Sequence, residues 1–285
     1  MVMTDELSDH HFNRLARILE GHVGIRLPPG KRVMLEGRLR KRVRQLGLPN
    51  LNDYCTALFD HGEFENEFTH LVDLVTTNKT DFFREPDHFH YLAQEAVPQI
   101  LGDGGDAGDR HIKLWSAACS IGAEPYTLAM VMDDLAPKLG GFSFSILGTD
   151  ISTEVLDQAV RAVYPDHMMS TVPRDMLRRY VMQARDARRQ EVRITPELRR
   201  TVRYKRLNLM DETFPLERDV DVIFCRNVLI YFDRPTQQGV LRRLAGHLRL
   251  GGYLFLGHAE SLAGGAIPAL RQVTTTVYRK IARGG

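Results

Sequence analysis

Apolar residues recur at helical spacing through the first quarter of the chain. Phe12, Leu15, Ile18 and Leu19 make one stripe. Leu35, Leu39, Val43 and Leu46 make a second, stopped by Gly47 and Pro49. Further helices are predicted from Asn52 and from near Phe64. Arg38 and Arg42 lie one turn apart on the second helix with Lys41 beside them, so a basic face opposes the apolar one. The segment Thr76–Pro86 reads as a loop that enters a helix over Asp87–Leu101, closed by Gly102, Gly104, Gly105 and Gly108. From His111 the period changes. Strands are predicted at 112–118, 142–147, 220–224, 253–256 and 273–280, with helices at 125–135, 153–163 and 236–248. This alternation predicts a mostly parallel sheet covered on both faces. Residues 165–206 interrupt it as an insertion, with a helix at 174–182 and short strands near 191–194 and 202–206. The expected organisation is a helical domain over 1–75, a linker over 76–110 and an α/β domain over 111–285.

The chain has 285 residues, 43% hydrophobic and 26% charged, which suits one large or two modest soluble domains. No apolar run approaches the roughly 20 residues that span a bilayer. The polar, acidic Met1–His10 lacks the form of a secretory signal, so the expected location is the cytoplasm. Cys55, Cys119 and Cys225 are far apart and form no metal or disulfide pattern. His88 and His90 form an HxH without further ligands at metal spacing, so no metal is expected. The net charge of +2 hides segregation. Arg26, Lys31, Arg32, Arg38, Arg40, Lys41, Arg42 and Arg44 face a single acid, Glu36, and a second basic block runs from Arg174 to Arg206. Such blocks suit a polyanionic partner or simply a solvated helix face.

In open α/β sheets, ligands sit beyond the carboxyl ends of the strands. The first strand runs into the turn Ser116–Glu124, whose small residues admit a ligand to the backbone. The turn is not GxGxxG, and a carboxylate at Glu124 suits an amine or sulfonium better than a pyrophosphate. An ordinary strand-to-helix connection would look similar. Asp150 ends the second strand, where an acid either binds ribose hydroxyls or caps the next helix, a task Ser152 can also take. Beyond the strand at 220–224, Arg226-Asn227 precedes the apolar aromatic run Val228–Phe232, which suits an adenine and a methyl donor.

The segments TTNKTDFFRE, SAACSIGAEPYTLA, LGTDIS, NLMD, FCRNVLIYF and LGGYLFLGHAESL occur in this order. Together they resemble the CheR family of chemotaxis receptor methyltransferases over nearly the whole chain. The resemblance implies a Rossmann-like S-adenosylmethionine-dependent methyltransferase domain, mostly parallel with an antiparallel last strand. It also implies an all-helical N-terminal domain and a small inserted β-subdomain at about 165–206. The implied reaction is methylation of glutamate side chains of methyl-accepting chemotaxis proteins, giving glutamyl methyl esters and S-adenosylhomocysteine. The implied cofactor contacts are Asn78, Thr80, Arg84, Glu124, Asp150, Asn208, Leu209, Asn227 and Val228. Arg84 and Tyr231 would act at the methyl-transfer end. Arg38, Lys41, Arg42 and Arg44 would face the receptor. Family members often carry two acids before the proline of the glycine turn, where this chain has Ala123-Glu124.

The resemblance also implies a monomer, with no nucleic acid partner and no insertion into the membrane. In some family members a glycine-containing loop of the β-subdomain docks a receptor C-terminal pentapeptide. The corresponding Gln183–Gln190 has no glycine, so a member independent of that tether is expected. Competing readings are a methyltransferase for another protein or a small molecule, a nucleic-acid-binding module and a cofactor-binding adaptor. The basic N-terminal helix speaks against a small acceptor, and no aromatic-rich binding face is evident for nucleic acid.

Overall fold

In the computed structural model, residues 5–60, 63–76, 79–102, 110–186, 188–260 and 267–282 are described. Helix α1 (Asp9–Val23) starts at Ser8, whose hydroxyl accepts the His11 N–H at 3.1 Å, and ends at Gly24 in the left-handed region. Helices α2 (Arg32–Gln45), α3 (Leu51–Asp60) and α4 (Phe64–Val75) complete the N-terminal bundle. Leu15, Leu19, Leu35, Leu39, Tyr54 and Leu71 form its core. Leu46, expected in the second stripe, instead caps α2 and stays exposed. Glu36 is buried. It accepts the Leu7 N–H at 3.0 Å and pairs with Arg32 and Arg40, so the lone acid of the basic block anchors the chain before α1.

The helix expected over Asp87–Leu101 is broken into α5 (Asp87–Tyr91), a π-helical turn (Leu92–Ala96) and α6 (Val97–Gly102). Pro98 has no N–H, and its ring would strike the carbonyl four residues back in a regular α-helix. The widened turn, with the Val97 N–H on the Leu92 carbonyl, accommodates it.

The large sheet contains β1 (His111–Ala117), β2 (Ser143–Asp150), β6 (Val202–Arg206), β7 (Val220–Cys225), β8 (Leu248–Leu256), β9 (Leu270–Gln272) and β10 (Val277–Lys280). Its order is β6-β2-β1-β7-β8-β10-β9. The β6, β2, β1, β7 and β8 pairings are parallel, and β10 runs antiparallel between β8 and β9. Alternation along the strands feeds two cores. Leu114, Val222, Phe224 and Phe255 pack with α7 (Ala123–Leu135), whereas Trp115, Ile223, Leu254 and Leu256 pack with α11 (Arg234–His247). Helix α8 (Thr153–Arg161) follows β2 and ends earlier than expected, because Val163 opens another strand.

The insertion forms a three-stranded antiparallel sheet, β3 (Val163–Pro165), β5 (Glu191–Ile194) and β4 (Val181–Gln183), with α9 (Arg174–Tyr180) and α10 (Pro196–Thr201). Val202–Arg206, expected within the insertion, belongs to the large sheet. It pairs in parallel with β2 from Ile146 to Asp150. The strand expected over 273–280 is shortened to β10, because residues 273–276 turn the chain from β9, with the Val273 N–H on the Val277 carbonyl. No described helix is long and apolar enough to cross a membrane.

Candidate functional site

A cleft lies over the carboxyl ends of β1, β2 and β7, walled on its far side by α1, α2 and the segment between them. Its space, including the open solvent at its mouth, is about 1190 Å³. Thr80, Arg84, Glu124, Asp150, Asn208, Leu209, Asn227, Val228 and Tyr231 all line it. Asn78 lies outside the described residues.

The floor is the turn from β1 to α7. Ala118 and Ser120 take left-handed backbone conformations, as does Gly122 at φ 89°. A Cβ on Gly122 would meet the Tyr204 hydroxyl at 2.7 Å and Ala159 at 2.8 Å, so only glycine fits. The turn is tied down by the Cys119 N–H on the Thr149 carbonyl and the Ser120 N–H on Asp150 Oδ2, both at 2.8 Å. Asp150 Oδ1 accepts the Ser152 N–H at 3.0 Å, while the Ser152 side chain caps α8. Asp150 is therefore not the helix cap, and with three backbone N–H groups on its carboxylate it keeps accepting capacity for a hydroxyl donor. Burial raises its pKa, against the backbone N–H groups that favour the anion.

Glu124 sits in the first turn of α7 with its carboxylate only 14% exposed. Ser116 Oγ donates to Oε1 at 2.6 Å and Arg226 Nη1 donates to Oε2 at 3.1 Å. Burial raises its pKa, opposed by Arg226 and by the Ser116 hydrogen bond. Ala123 beside it is fully buried in the core cluster of Tyr126 and Phe82. Ala123 thus packs into the core and is not among the residues that line the cleft.

Arg226 was not anticipated as an organising group. Its side chain is 2% exposed. It pairs with Glu85 at 3.0 Å and Glu124 at 3.1 Å and donates to the Arg84 carbonyl, beside the stacked rings of Phe89 and Phe224. Burial would raise the Glu85 pKa, but Asn227 and Arg226 outweigh it and hold that carboxyl below its usual range. Glu85 and Asn227 both adopt left-handed conformations, at φ 57° and 59°. Asn227 Nδ2 donates to Glu85 Oε1 at 3.0 Å, and Glu260 receives the Asn227 and Leu229 N–H groups, each at 2.7 Å. Strained non-glycine residues thus gather around the cleft, held by buried carboxylates. The available sequence signal was an arginine directly after a six-residue buried strand.

Not every expected residue presents its side chain to the cleft alone. Asn208 Nδ2 donates to the His22 carbonyl at 2.7 Å, so that side chain straps α1 to the α/β domain. Tyr231 lies under the Lys31 ammonium, 5.7 Å from the ring centre. Of the four basic residues expected to face a partner, Arg38 and Arg42 reach across to α4, and Arg44 donates to the Arg40 carbonyl of its own helix at 3.2 Å. Arg38 donates to the Leu74 and Thr76 carbonyls, both at 2.9 Å, and so caps the end of α4. Arg42 grips Glu67 through two hydrogen bonds, of 3.0 and 2.6 Å. These contacts join α2 to α4. Lys41 and Arg44 remain exposed.

Comparison with known proteins follows the same division. Residues 10–76 match the family "CheR methyltransferase, all-alpha domain", and residues 78–279 match "CheR methyltransferase, SAM binding domain". The chain is 34% identical over 280 residues to a chemotaxis protein methyltransferase of Borreliella burgdorferi, covering 98% of this chain and 95% of that protein. It is 36% identical over 257 residues to the chemotaxis protein methyltransferase of Escherichia coli, covering 90% and 86%. It is also 36% identical over 269 residues to chemotaxis protein methyltransferase 2 of Pseudomonas aeruginosa, covering 94% and 91%.

Proposed function

For a chain that belongs to the CheR methyltransferase family, we propose that the acceptor is a glutamate side chain on the cytoplasmic helices of a methyl-accepting chemotaxis protein. The products are a glutamyl methyl ester and S-adenosylhomocysteine. The observation that carries this reading is that the cleft offers partners of both charges. Two acids, partly buried Glu124 and buried Asp150, suit a cationic donor, with Glu124 paired to buried Arg226. Lys31, Lys79 and Arg84 line the same cleft, beside exposed Asp81, and suit an anionic acceptor.

The residues fit S-adenosylmethionine as follows. Asp150 receives the ribose hydroxyls, Glu124 the α-amino group, and Leu209 and Val228 flank the adenine beside Asn208. Arg84 faces the methionyl carboxylate and the incoming acceptor. Thr80, Asn227 and, outside the described residues, Asn78 complete the contacts. The bound donor supplies a methyl group on a sulfonium. A glutamate carboxylate is already ionised near pH 7, since its reference pKa is about 4.3. No residue has to remove a proton, and the protein's contribution is placement, an effect that can reach roughly 7–11 kcal/mol. Arg84 and Tyr231 orient the acceptor oxygen in line with the methyl carbon.

Lys41 and Arg44 draw an acidic receptor helix towards the cleft. The enzyme acts as a cytoplasmic monomer and does not need a receptor pentapeptide. A tritiated methyl-transfer assay with receptor-containing membranes tests the reading. Base-labile label on the receptor is the expected result, and base-stable label would assign a different acceptor. Removing the receptor's C-terminal pentapeptide should leave the rate unchanged.

A further inference from the structure

The HxH pair that looked isolated in sequence does not stay so. His90 points to solvent, whereas His88 is buried and joined by Glu85 and His258. We propose that Glu85, His88 and His258 form a binding site for one divalent first-row transition-metal ion of the zinc class, behind the cofactor cleft.

One ligand atom from each residue lies within 4.8 Å of the other two. The independent pointer is His88 Nδ1. It is buried without a hydrogen-bond partner, on a residue only 2% exposed, and lies 3.5 Å from Glu85 Oε2. The other ring nitrogen, Nε2, is 2.7 Å from the hydroxyl of buried Thr276. That contact fixes the ring and, when Nε2 carries the proton, leaves the Nδ1 lone pair facing Glu85 and His258. A second hydrogen bond of this kind is the usual support of a metal-binding imidazole. Phe224 and Phe255 hold the ring edge-on, and the His258 ring stands 5.1 Å away.

Charge and access agree with the geometry. The neighbouring cluster sets one guanidinium, Arg226, against two carboxylates, Glu85 and Glu124, so a dication does not enter a positive site. A surface cavity bounded by Asp87, Tyr91 and Thr274–Val277 opens onto His88 and His258 and leaves room for water as a fourth ligand. Two imidazoles and one carboxylate suit zinc, cobalt or nickel rather than magnesium, which prefers oxygen. The ion would clamp the segment before α5 to the loop after β8.

The test is titration of the chelator-treated full-length protein with Co2+, then displacement by Zn2+. The expected result is one Co2+ per chain with visible absorption bands, and a rise in melting temperature with Zn2+. His258→Ala and His88→Asn should each weaken binding at least about tenfold and abolish that rise. His90→Ala, its exposed neighbour, should change neither. His258 is exposed, and only its backbone N–H touches Glu85, so its truncation leaves the fold intact. Unaltered S-adenosylhomocysteine binding by metal-free His258→Ala would verify that. Wild-type binding no tighter than that of His258→Ala, or a loss equal in His90→Ala, would overturn the assignment.

Discussion

Two concentrations of positive charge serve this protein in opposite ways. The α2 face spreads several cations along a surface, and two of them reach across to α4: Arg38 to carbonyls, Arg42 to Glu67. In the cleft wall a single guanidinium, Arg226, is almost wholly buried and holds two carboxylates and a carbonyl together. An exposed ion pair contributes roughly 0–1 kcal/mol, while breaking a buried one costs about 3–5 kcal/mol. The number of charges therefore sets the field a partner meets, and their burial sets what each one holds in place.

The comparison breaks first at Arg226. Arg226→Gln leaves Glu85 and Glu124 without their cation and should destabilise the protein by about 3–5 kcal/mol, read from urea unfolding. S-adenosylhomocysteine affinity should fall with it. A loss below about 1 kcal/mol would show that the buried centre is no more demanding than the surface. Arg84 lies between the two regimes, half-buried at the cleft. Arg84→Ala should lower methyl transfer at least about 100-fold while the melting temperature stays close to wild type. Near-normal turnover would remove Arg84 from the transfer end.

Burial also predicts a pH effect at the cofactor. The Glu124 pKa is raised above the ordinary carboxylate value. Its anion is thus present at high pH and lost as pH falls, starting above the usual range for glutamate. S-adenosylhomocysteine affinity should fall on acidification over that window, by roughly tenfold at full protonation. Glu124→Gln should be weak and flat across it, and a parallel fall in both proteins would place the titration elsewhere.

Smaller effects sharpen the surface side. Arg42→Ala and Glu67→Ala should each cost about 1–2 kcal/mol, with the double variant little worse than either. Product affinity should not move. Reversing Lys41 and Arg44 to glutamate should slow receptor methylation several-fold at low salt and little at high salt, with stability unchanged within about 0.5 kcal/mol. A stability loss there would mean that these two charges hold the bundle together in the way Arg42 does.

Much of this arrangement was readable because it is local. The change from helical to strand period at His111, the small residues of the Ser116–Glu124 turn and the acid at Asp150 all lie within one element and its exit. The features that escaped notice depend on distant partners. Arg226 meets Glu124 and Glu85 across 102 and 141 positions, and nothing near it in sequence announces either. Val202–Arg206 has the pattern of a short strand, but its choice of β2 over the inserted sheet is decided by tertiary packing. Arg38 and Arg42 have the spacing of a solvated basic face, yet the folded bundle brings the end of α4 and Glu67 to them.

The end of α1 carries a last consequence. Gly24 at φ 72° presses so close to Phe232 that a Cβ would lie 2.4 Å from its ring, and the next residue, Ile25, lines the cleft. The cofactor chamber is thus shared property of two sequence families whose border falls at residue 77. A catalytic half freed of its helical partner would keep every strand end but lose a wall, so the chain is divisible on paper and indivisible as a vessel.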